Sequence, residues 1–265
     1  MSQDLLTSID GGIARMTINR PQARNAMTAA VIQEMLEFCR GIEHDSAVRC
    51  LAISGAGEHF MAGGDVKGFL EVIDKPAEEL RSNFEQRSID AAPLWIILER
   101  MAHPVVCSVR GFSAGAALSF VAGADITIAS DNAKFLLAHV GLGLSPDAAT
   151  TYHLPRAIGV RNAKQLAFFG DRIDAQEAHR IGLVNWIVPD AELEARTEEI
   201  LNRLANAPSV SIAQSKQLMN QSLGSTISEQ LTAEGISLGR CATSQDIKEG
   251  VRAFVEKRKP QFRGQ

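Results

Sequence analysis

The chain has 265 residues, of which 45% are hydrophobic and 22% charged, and its formal net charge is −4. These values are typical of a soluble globular protein with one large or two small domains, and they give no support to nucleic acid or an anionic membrane as a partner. The amino-terminal residues lack a basic segment followed by a long apolar run, and the longest apolar stretch, 112–124, is too short to cross a bilayer. We therefore expect a cytoplasmic protein without a secretory signal.

Strand and helix signals alternate along the amino-terminal half. Residues 5–9 and 13–18 flank Asp10-Gly11-Gly12, and this arrangement predicts a hairpin. Thr28 is a suitable cap for a helix with one apolar face, and residues 77–102 predict a second helix that stops before a proline. Short apolar runs predict strands at 50–54, 105–109 and 126–129.

Helical patterns dominate the carboxyl-terminal half. Asp174 begins a pattern typical of a capped helix, a strand-like run follows at 183–188, and a further helix is predicted around 191–205. The remaining residues have helical patterns without strands. This order predicts an α/β core with an appended helical subdomain. We place the core at 1–205 and the helical region at 206–265.

Several kinds of site have no support in the sequence. The cysteines show no CxxC pairing, and most of them lie in apolar patterns, so we expect reduced core residues rather than metal ligands or disulfides. The dinucleotide fingerprint, the P-loop, the nucleophile elbow and the H-E-x-x-H zinc motif are all absent from the sequence. The cysteines are Cys39, Cys50, Cys107 and Cys241.

Two loops of small residues follow predicted strands. Residues 60–67 contain Ala62-Gly63-Gly64, and residues 111–117 contain Gly115-Ala116-Ala117. Small side chains let the backbone come close to a ligand. Two backbone N–H groups that point at one carbonyl oxygen form an oxyanion hole, which is often the largest single contribution to catalysis. The loops therefore predict such a site.

The motifs, taken together and in order, resemble the crotonase (enoyl-CoA hydratase/isomerase) superfamily over almost the whole chain. They are Asn19-Arg20-Pro21, Asn25-Ala26, Phe60-Met61-Ala62-Gly63-Gly64-Asp65-Val66, the segment 111–125, Gly143-Leu144-Ser145-Pro146, Gly182-Leu183-Val184 and the segment 246–262. The resemblance implies a spiral of ββα units, with assembly as a homotrimer or a dimer of trimers. It also implies an acyl-coenzyme A thioester as the substrate. Coenzyme A is then part of the substrate, so we expect no separate cofactor and no metal.

The resemblance also assigns the residues that bind the thioester. Its oxygen would lie between the backbone N–H groups of Gly64 and Ala116, where most family members have glycine at the second position. Arg24 and Ala26 would lie along the coenzyme A groove. Ala62, Asp65 and Val66 would lie beside the adenine, and Lys257 would approach the phosphates from a neighbouring subunit. For Arg24 and Lys257, solvated surface charge is the alternative interpretation.

Three positions set this chain apart from the hydratases it resembles. Those enzymes use two glutamates as acid and base on a water molecule, and the corresponding positions here are Ser119 and His139. Asp147, in contrast, occupies a position where several branches of the family have a catalytic aspartate. A carboxylate in an apolar pocket is suited to proton transfer near neutral pH. We expect Asp147 to carry the acid–base chemistry, His139 to assist and Ser119 to fill space.

Several alternatives remain open. Asp147 is also placed to cap the helix after it, and His139 to be a buried, hydrogen-bonded core residue. Isomerisation of an enoyl thioester is the favoured reaction. The rivals are hydration by a nonstandard site, a hydrolytic or dehalogenating reaction with Asp147 as nucleophile, and a pseudoenzyme that only binds acyl-coenzyme A. Met27, Met61, Phe69 and Trp95 are candidates to line an acyl pocket, although core packing is the favoured interpretation for each of them.

Overall fold

The predicted amino-terminal hairpin is present in the computed structural model, which describes residues 3–264. Strand β1 (Leu5–Asp10) pairs antiparallel with β2 (Ile13–Ile18), and Asp10 lies opposite Ile13. Gly11 and Gly12 between them have φ angles of 56° and 80°, which are the left-handed values that a two-residue hairpin turn requires. The predicted core (1–205) begins with Met1 and Ser2, and the predicted helical region (206–265) ends with Gln265; these three residues lie outside the described residues.

The hairpin forms the edge of a six-stranded sheet. Its further strands are β3 (Cys50–Gly55), β4 (Val105–Val109), β6 (Ile126–Ser130) and β9 (Trp186–Val188). Every pairing after the hairpin is parallel, and the strand order is β1-β2-β3-β4-β6-β9. The central strands are buried along most of their length, as expected for a parallel sheet covered on both faces. The strands outside this sheet are β5 (Phe112–Ala114), β7 (Lys134–Leu136) and β8 (Ile173–Asp174).

A second sheet is built from three short strands of two or three residues each. Its order is β5-β7-β8, with β5 and β7 parallel and β7 and β8 antiparallel. The chain alternates between the two sheets. Strand β4 is followed by β5 and then helix α3 (Ala117–Gly123), and β6 is followed by β7 and then helix α4 (Thr150–Phe169). This repetition of two strands and a helix confirms the predicted α/β class and the ββα units.

The predicted helices agree with the structure apart from their ends. Thr28 accepts a hydrogen bond from the Val31 N–H and caps the helix that begins at Ala29. The strand predicted over 183–188 is shorter than expected, because only its last three residues pair with β6. The other helices are α1 (Ala29–Ile42), α2 (Ala77–Arg100), α5 (Ala175–Arg180), α6 (Leu193–Ala205), α7 (Ser209–Ser222), α8 (Ile227–Ala242) and α9 (Gln245–Val255).

The carboxyl-terminal helices are tied to the core through α7. The Lys216 side chain is only 8% exposed, and its ammonium group lies 2.7 Å from Oδ2 of Asp125. The same group donates to the carbonyl oxygens of Leu98 and His103. The predicted boundary after 205 falls between α6 and α7, and the division into two regions stays a prediction. Large apolar side chains remain exposed on α8 and α9, among them Ile227, Leu231, Leu238, Val251 and Phe254.

Three expectations concern membranes, metals and cysteines. Within residues 3–264, none of the helices combines the length and the apolar character needed to cross a membrane. The same residues contain no group of three His, Cys, Asp or Glu side chains arranged to hold a metal ion. All four cysteines are free, and Cys241 alone among them is only partly buried. Burial raises the pKa of the Cys39 and Cys50 thiols to about 12.

Candidate active site

A cavity of about 520 Å³ brings together four of the residues singled out in the sequence. It lies between α1, α2, the two small-residue loops and the segment before α4. Gly64, Ala116, His139 and Asp147 all line it. Its size is within the usual range for small-molecule sites. A second cavity, of about 300 Å³, lies between the six-stranded sheet and α6. We do not assign the second cavity a ligand, because its wall contains no unpartnered buried polar side chain among residues 3–264.

The first small-residue loop is held by backbone contacts that only glycine permits. Met27 donates its N–H to Gly63 O at 2.8 Å, and Asp65 donates to Met27 O at 2.9 Å. Gly63 has a φ angle of 87°, and a Cβ there would lie 2.7 Å from Ala114 O. Only glycine therefore fits at this position. The residue after it, Gly64, faces open space.

The two backbone N–H groups that the resemblance assigns to the oxyanion hole, those of Gly64 and Ala116, have no acceptor among residues 3–264. The N–H groups of Gly115 and Asp65 are bonded to protein oxygens, but those of Gly64 and Ala116 find no acceptor within the described part of the chain. Buried and half-buried backbone donors are nearly always paired in native proteins. Two unpaired donors on one cavity wall are therefore available to a ligand oxygen.

Asp147 and His139 meet in the same cavity. His139 belongs to a short 3-10 helix (Ala138–Leu142), and its Nε2 lies 3.2 Å from Oδ1 of Asp147. The two side chains are 11% and 55% exposed, respectively. The imidazole also packs close to the second loop, since a Cβ on Gly115 would lie 4.0 Å from its Cε1. The predicted acid–base residue and its predicted assistant are thus in direct contact.

Asp147 does not cap the following helix. Helix α4 begins at Thr150, and its capping residue, Ala149, makes no side-chain hydrogen bond. The alternative interpretation of Asp147 as a helix cap is therefore wrong. Ala148 and Ala149 both have positive φ angles, 54° and 59°, which alanine rarely adopts. Unfavourable backbone angles of this kind concentrate at functional sites, where the surrounding structure imposes them.

An aromatic wall closes the other side of the cavity. Phe69 and Phe84 lie with ring centroids 5.0 Å apart, and Trp95 packs on Phe120 at 4.3 Å. Phe69, Trp95 and Met27 line the cavity, whereas Met61 is fully buried and has the favoured core-packing role. The sequence analysis did not identify Phe84. Phe84 lies on α2 about three helical turns before Trp95, and nothing in the local sequence distinguishes it from the other residues of this helix.

The predicted coenzyme A residues divide into two groups. Ala62 and Val66 line the cavity, whereas Arg24, Ala26 and Asp65 do not. These three lie near its wall: the Ala62 N–H donates to Arg24 O at 2.9 Å, and Arg20, which the sequence analysis did not assign, reaches both Ala26 O and Asp65.

Two further predicted positions lie away from the cavity. Lys257 is exposed after the end of α9 and does not line the cavity. Ser119 is only 1% exposed, and it also does not line the cavity. Its burial agrees with the expectation that it fills space. Its hydroxyl has no hydrogen-bond partner among the described residues.

Comparison with known proteins agrees with this geometry. The family model for enoyl-CoA hydratase/isomerase matches residues 8–265. The 1,2-epoxyphenylacetyl-CoA isomerase of Escherichia coli K12 is 34% identical over 264 residues, which cover 100% of both chains. The short-chain-enoyl-CoA hydratase of Clostridium acetobutylicum is 37% identical over 253 residues, which cover 94% of both chains.

A solved structure supports the same assignment. The enoyl-CoA hydratase/isomerase of Cupriavidus metallidurans CH34 has a TM-score of 0.91 and 27% sequence identity to this chain. The match covers 99% of this chain and 97% of that one. The chain therefore belongs to the enoyl-CoA hydratase/isomerase family, the crotonase superfamily, and has its α/β fold.

Proposed function

We propose that this protein isomerises an enoyl-coenzyme A thioester through an enolate. The observation that carries the proposal is that Asp147 lies in one cavity with two unpartnered backbone N–H groups, those of Gly64 and Ala116. A single carboxylate beside an oxyanion hole is sufficient to move a proton between two carbons of the substrate.

The reaction follows from these groups. Asp147 removes a proton from C2 of a 3-enoyl thioester, and the electron pair moves onto the thioester oxygen to give an enolate. The N–H groups of Gly64 and Ala116 stabilise the negative oxygen. The protonated Asp147 then returns the proton at C4. The double bond has moved from C3–C4 to C2–C3, and the formula of the substrate is unchanged.

Hydration is the second candidate, because one of the relatives reported above is named a short-chain-enoyl-CoA hydratase. The other is named an isomerase, and the two have similar identity to this chain, 37% and 34%. The names therefore do not decide between the reactions. Hydration needs a group to activate water as well as an acid for C2. Isomerisation does not have that requirement, because Asp147 alone, as a single base in the cavity, can remove the proton from C2 and return it at C4.

The substrate carries coenzyme A into the cavity, and no separate cofactor takes part in this proposal. Arg24, Ala26, Ala62, Asp65 and Val66 form the groove for its adenosine part. Lys257 reaches the coenzyme A phosphates from a neighbouring subunit in a homotrimer or a dimer of trimers. The exposed apolar side chains on α8 and α9 support assembly through this region.

The test is product analysis by mass spectrometry with 2-enoyl and 3-enoyl coenzyme A esters in deuterated water. Isomerisation predicts a product of unchanged formula that gains deuterium on carbon. Asp147→Asn should lower its rate by about 10²- to 10⁴-fold, whereas Asp171→Asn, the same change at an exposed position, should not. A product heavier by one water contradicts the proposal in favour of hydration. Binding of the esters without any turnover contradicts it in favour of a pseudoenzyme.

A further inference from the structure

The two ring nitrogens of His139 have very different surroundings. Nε2 lies 3.2 Å from Oδ1 of Asp147. Nδ1 is shut off from solvent and has no hydrogen-bond partner among residues 3–264. A neutral imidazole carries one N–H, and its other nitrogen is an acceptor. The surroundings therefore decide which nitrogen holds the proton.

The proton belongs on Nε2. There it is donated to the Asp147 carboxylate, and a hydrogen bond to an ionised acceptor is among the strong ones. On Nδ1 the same proton would be a buried donor without an acceptor, which is an unfavourable placement. An imidazolium would face the same difficulty, because its second N–H would also be on Nδ1.

Neither nitrogen of His139 is in a position to exchange a proton with a substrate. Nε2 is occupied by Asp147, and Nδ1 is closed off. We infer that His139 is a positioning residue: a neutral Nε2–H donor that holds Oδ1 of Asp147 and leaves Oδ2 to the substrate. It keeps its own proton and transfers none to or from the substrate. The catalytic part of this inference rests on the isomerase reaction proposed above.

Asp147 needs such a partner because little else restrains it. Its side chain is 55% exposed, and within the described part of the chain its carboxylate has no other hydrogen-bond partner than His139. It is also followed by two alanines in the left-handed conformation, so it is not held by a regular helix. A reacting group displaced by about 1 Å can lose about 100-fold in rate. Holding Asp147 in place is therefore a sufficient role for His139.

Two variants of similar size separate this role from proton transfer. In His139→Gln, the amide nitrogen can take the place of Nε2 and donate to Asp147, but the side chain does not titrate. In His139→Met, a side chain of matched length has no donor. We expect His139→Gln to keep kcat within about fivefold of the unmodified protein, and His139→Met to lose about 100-fold in kcat with little change in KM.

Other results would overturn the inference. If the glutamine variant is as slow as the methionine variant, His139 has to carry a proton. If both variants are as fast as the unmodified protein, His139 does not position Asp147. Thermal unfolding of both variants shows whether they are folded, and coenzyme A ester binding shows whether the cavity is intact.

A spectroscopic measurement tests the proton position without any reaction. Protein labelled with ¹⁵N at histidine reports the tautomer of each ring through its nitrogen chemical shifts, and the His139 signals are those that disappear in His139→Gln. At mildly alkaline pH we expect the Nε2–H tautomer. The Nδ1–H tautomer or an imidazolium would overturn the inference. The tautomer result stands even if the enzyme proves to be a hydratase, so failure of the proposed function and failure of this inference are distinguishable.

Discussion

Met61 pairs with Ser113 in a short parallel bridge between the two small-residue loops. The Met61 N–H donates to Phe112 O at 3.0 Å, and the Ala114 N–H donates to Met61 O at 2.9 Å. Gly64 and Ala116 each follow a bridge residue by three positions, 61 to 64 and 113 to 116. The bridge therefore places the N–H groups of Gly64 and Ala116 at equivalent positions, each three residues after the bridge, on two neighbouring segments of the chain.

The first prediction removes one of these N–H groups. Ala116 has a φ angle of −59°, which proline accepts, so Ala116→Pro deletes the N–H with little change in backbone angle. We expect kcat for isomerisation to fall by about 10²- to 10³-fold. Ala116→Gly keeps the N–H and is the control. Steady-state kinetics with a 3-enoyl thioester make the comparison, and equal activity of the two variants would mean that Ala116 does not hold the oxygen.

A second prediction concerns the backbone after Asp147. Ala149 has a φ angle of 59°, which glycine adopts without the steric cost that alanine incurs, about 1 kcal/mol. Ala149→Gly should therefore raise the free energy of unfolding by about 0.5–1 kcal/mol, measured by denaturant titration. The same change at exposed Ala195 inside α6 should lower it by a similar amount, because glycine weakens a helix. Destabilisation at both positions would show that the left-handed angle at Ala149 stores no strain.

A third prediction tests the attachment of the carboxyl-terminal helices. Lys216→Met leaves the Asp125 carboxylate and two carbonyl oxygens without their shared donor. Because the Lys216 side chain is only 8% exposed, we expect the free energy of unfolding to fall by about 2–4 kcal/mol. Exposed Lys248→Met is the control and should change it little. Two separate unfolding transitions in the variant, instead of one, would indicate that residues 206–265 unfold independently.

A fourth prediction concerns pH. Burial lowers the pKa of His103 below its usual value of 6.5, and its Nε2 lies 2.9 Å from Ile42 O. The unfolded chain therefore binds a proton more readily than the folded protein does. The contribution of His103 to stability is fully present above the unfolded pKa and is lost as the pH falls from there towards the folded pKa.

His103→Gln should make this loss of stability on acidification smaller, because the amide can still donate to Ile42 O but does not titrate. Thermal unfolding from about pH 7.5 to 5.5, which spans the ordinary histidine pKa, measures the slope. Burial also lowers the pKa of His153, so part of the slope should remain in the variant. An unchanged slope would show that His103 does not contribute to the pH dependence.

The sequence correctly predicted those helices and strands whose sequence pattern lies within a few neighbouring residues. The hairpin needed only two glycines between apolar runs, and both have the left-handed angles of such a turn. Helix α1 needed only Thr28 and an apolar face, and Thr28 caps it. Both signals depend on the conformation of a short segment, which its own residues largely decide.

The second sheet was missed for the opposite reason. Strands β5, β7 and β8 have three, three and two residues, so none is long enough to show the alternation that marks a strand. Each exists because of a partner elsewhere in the chain. Phe112 pairs with Lys134, for example, and Lys134 with Asp174.

The sequence by itself determined which chemical groups the protein has: two loops of small residues, a carboxylate at position 147 and an imidazole at position 139. Only the tertiary structure decided how they are used. It left Gly64 and Ala116 without acceptors, kept Asp147 from capping a helix and brought it against His139. The reason is that hydrogen-bond partners in a folded chain are supplied by segments remote in sequence, so whether a donor is occupied or free depends on how those segments pack.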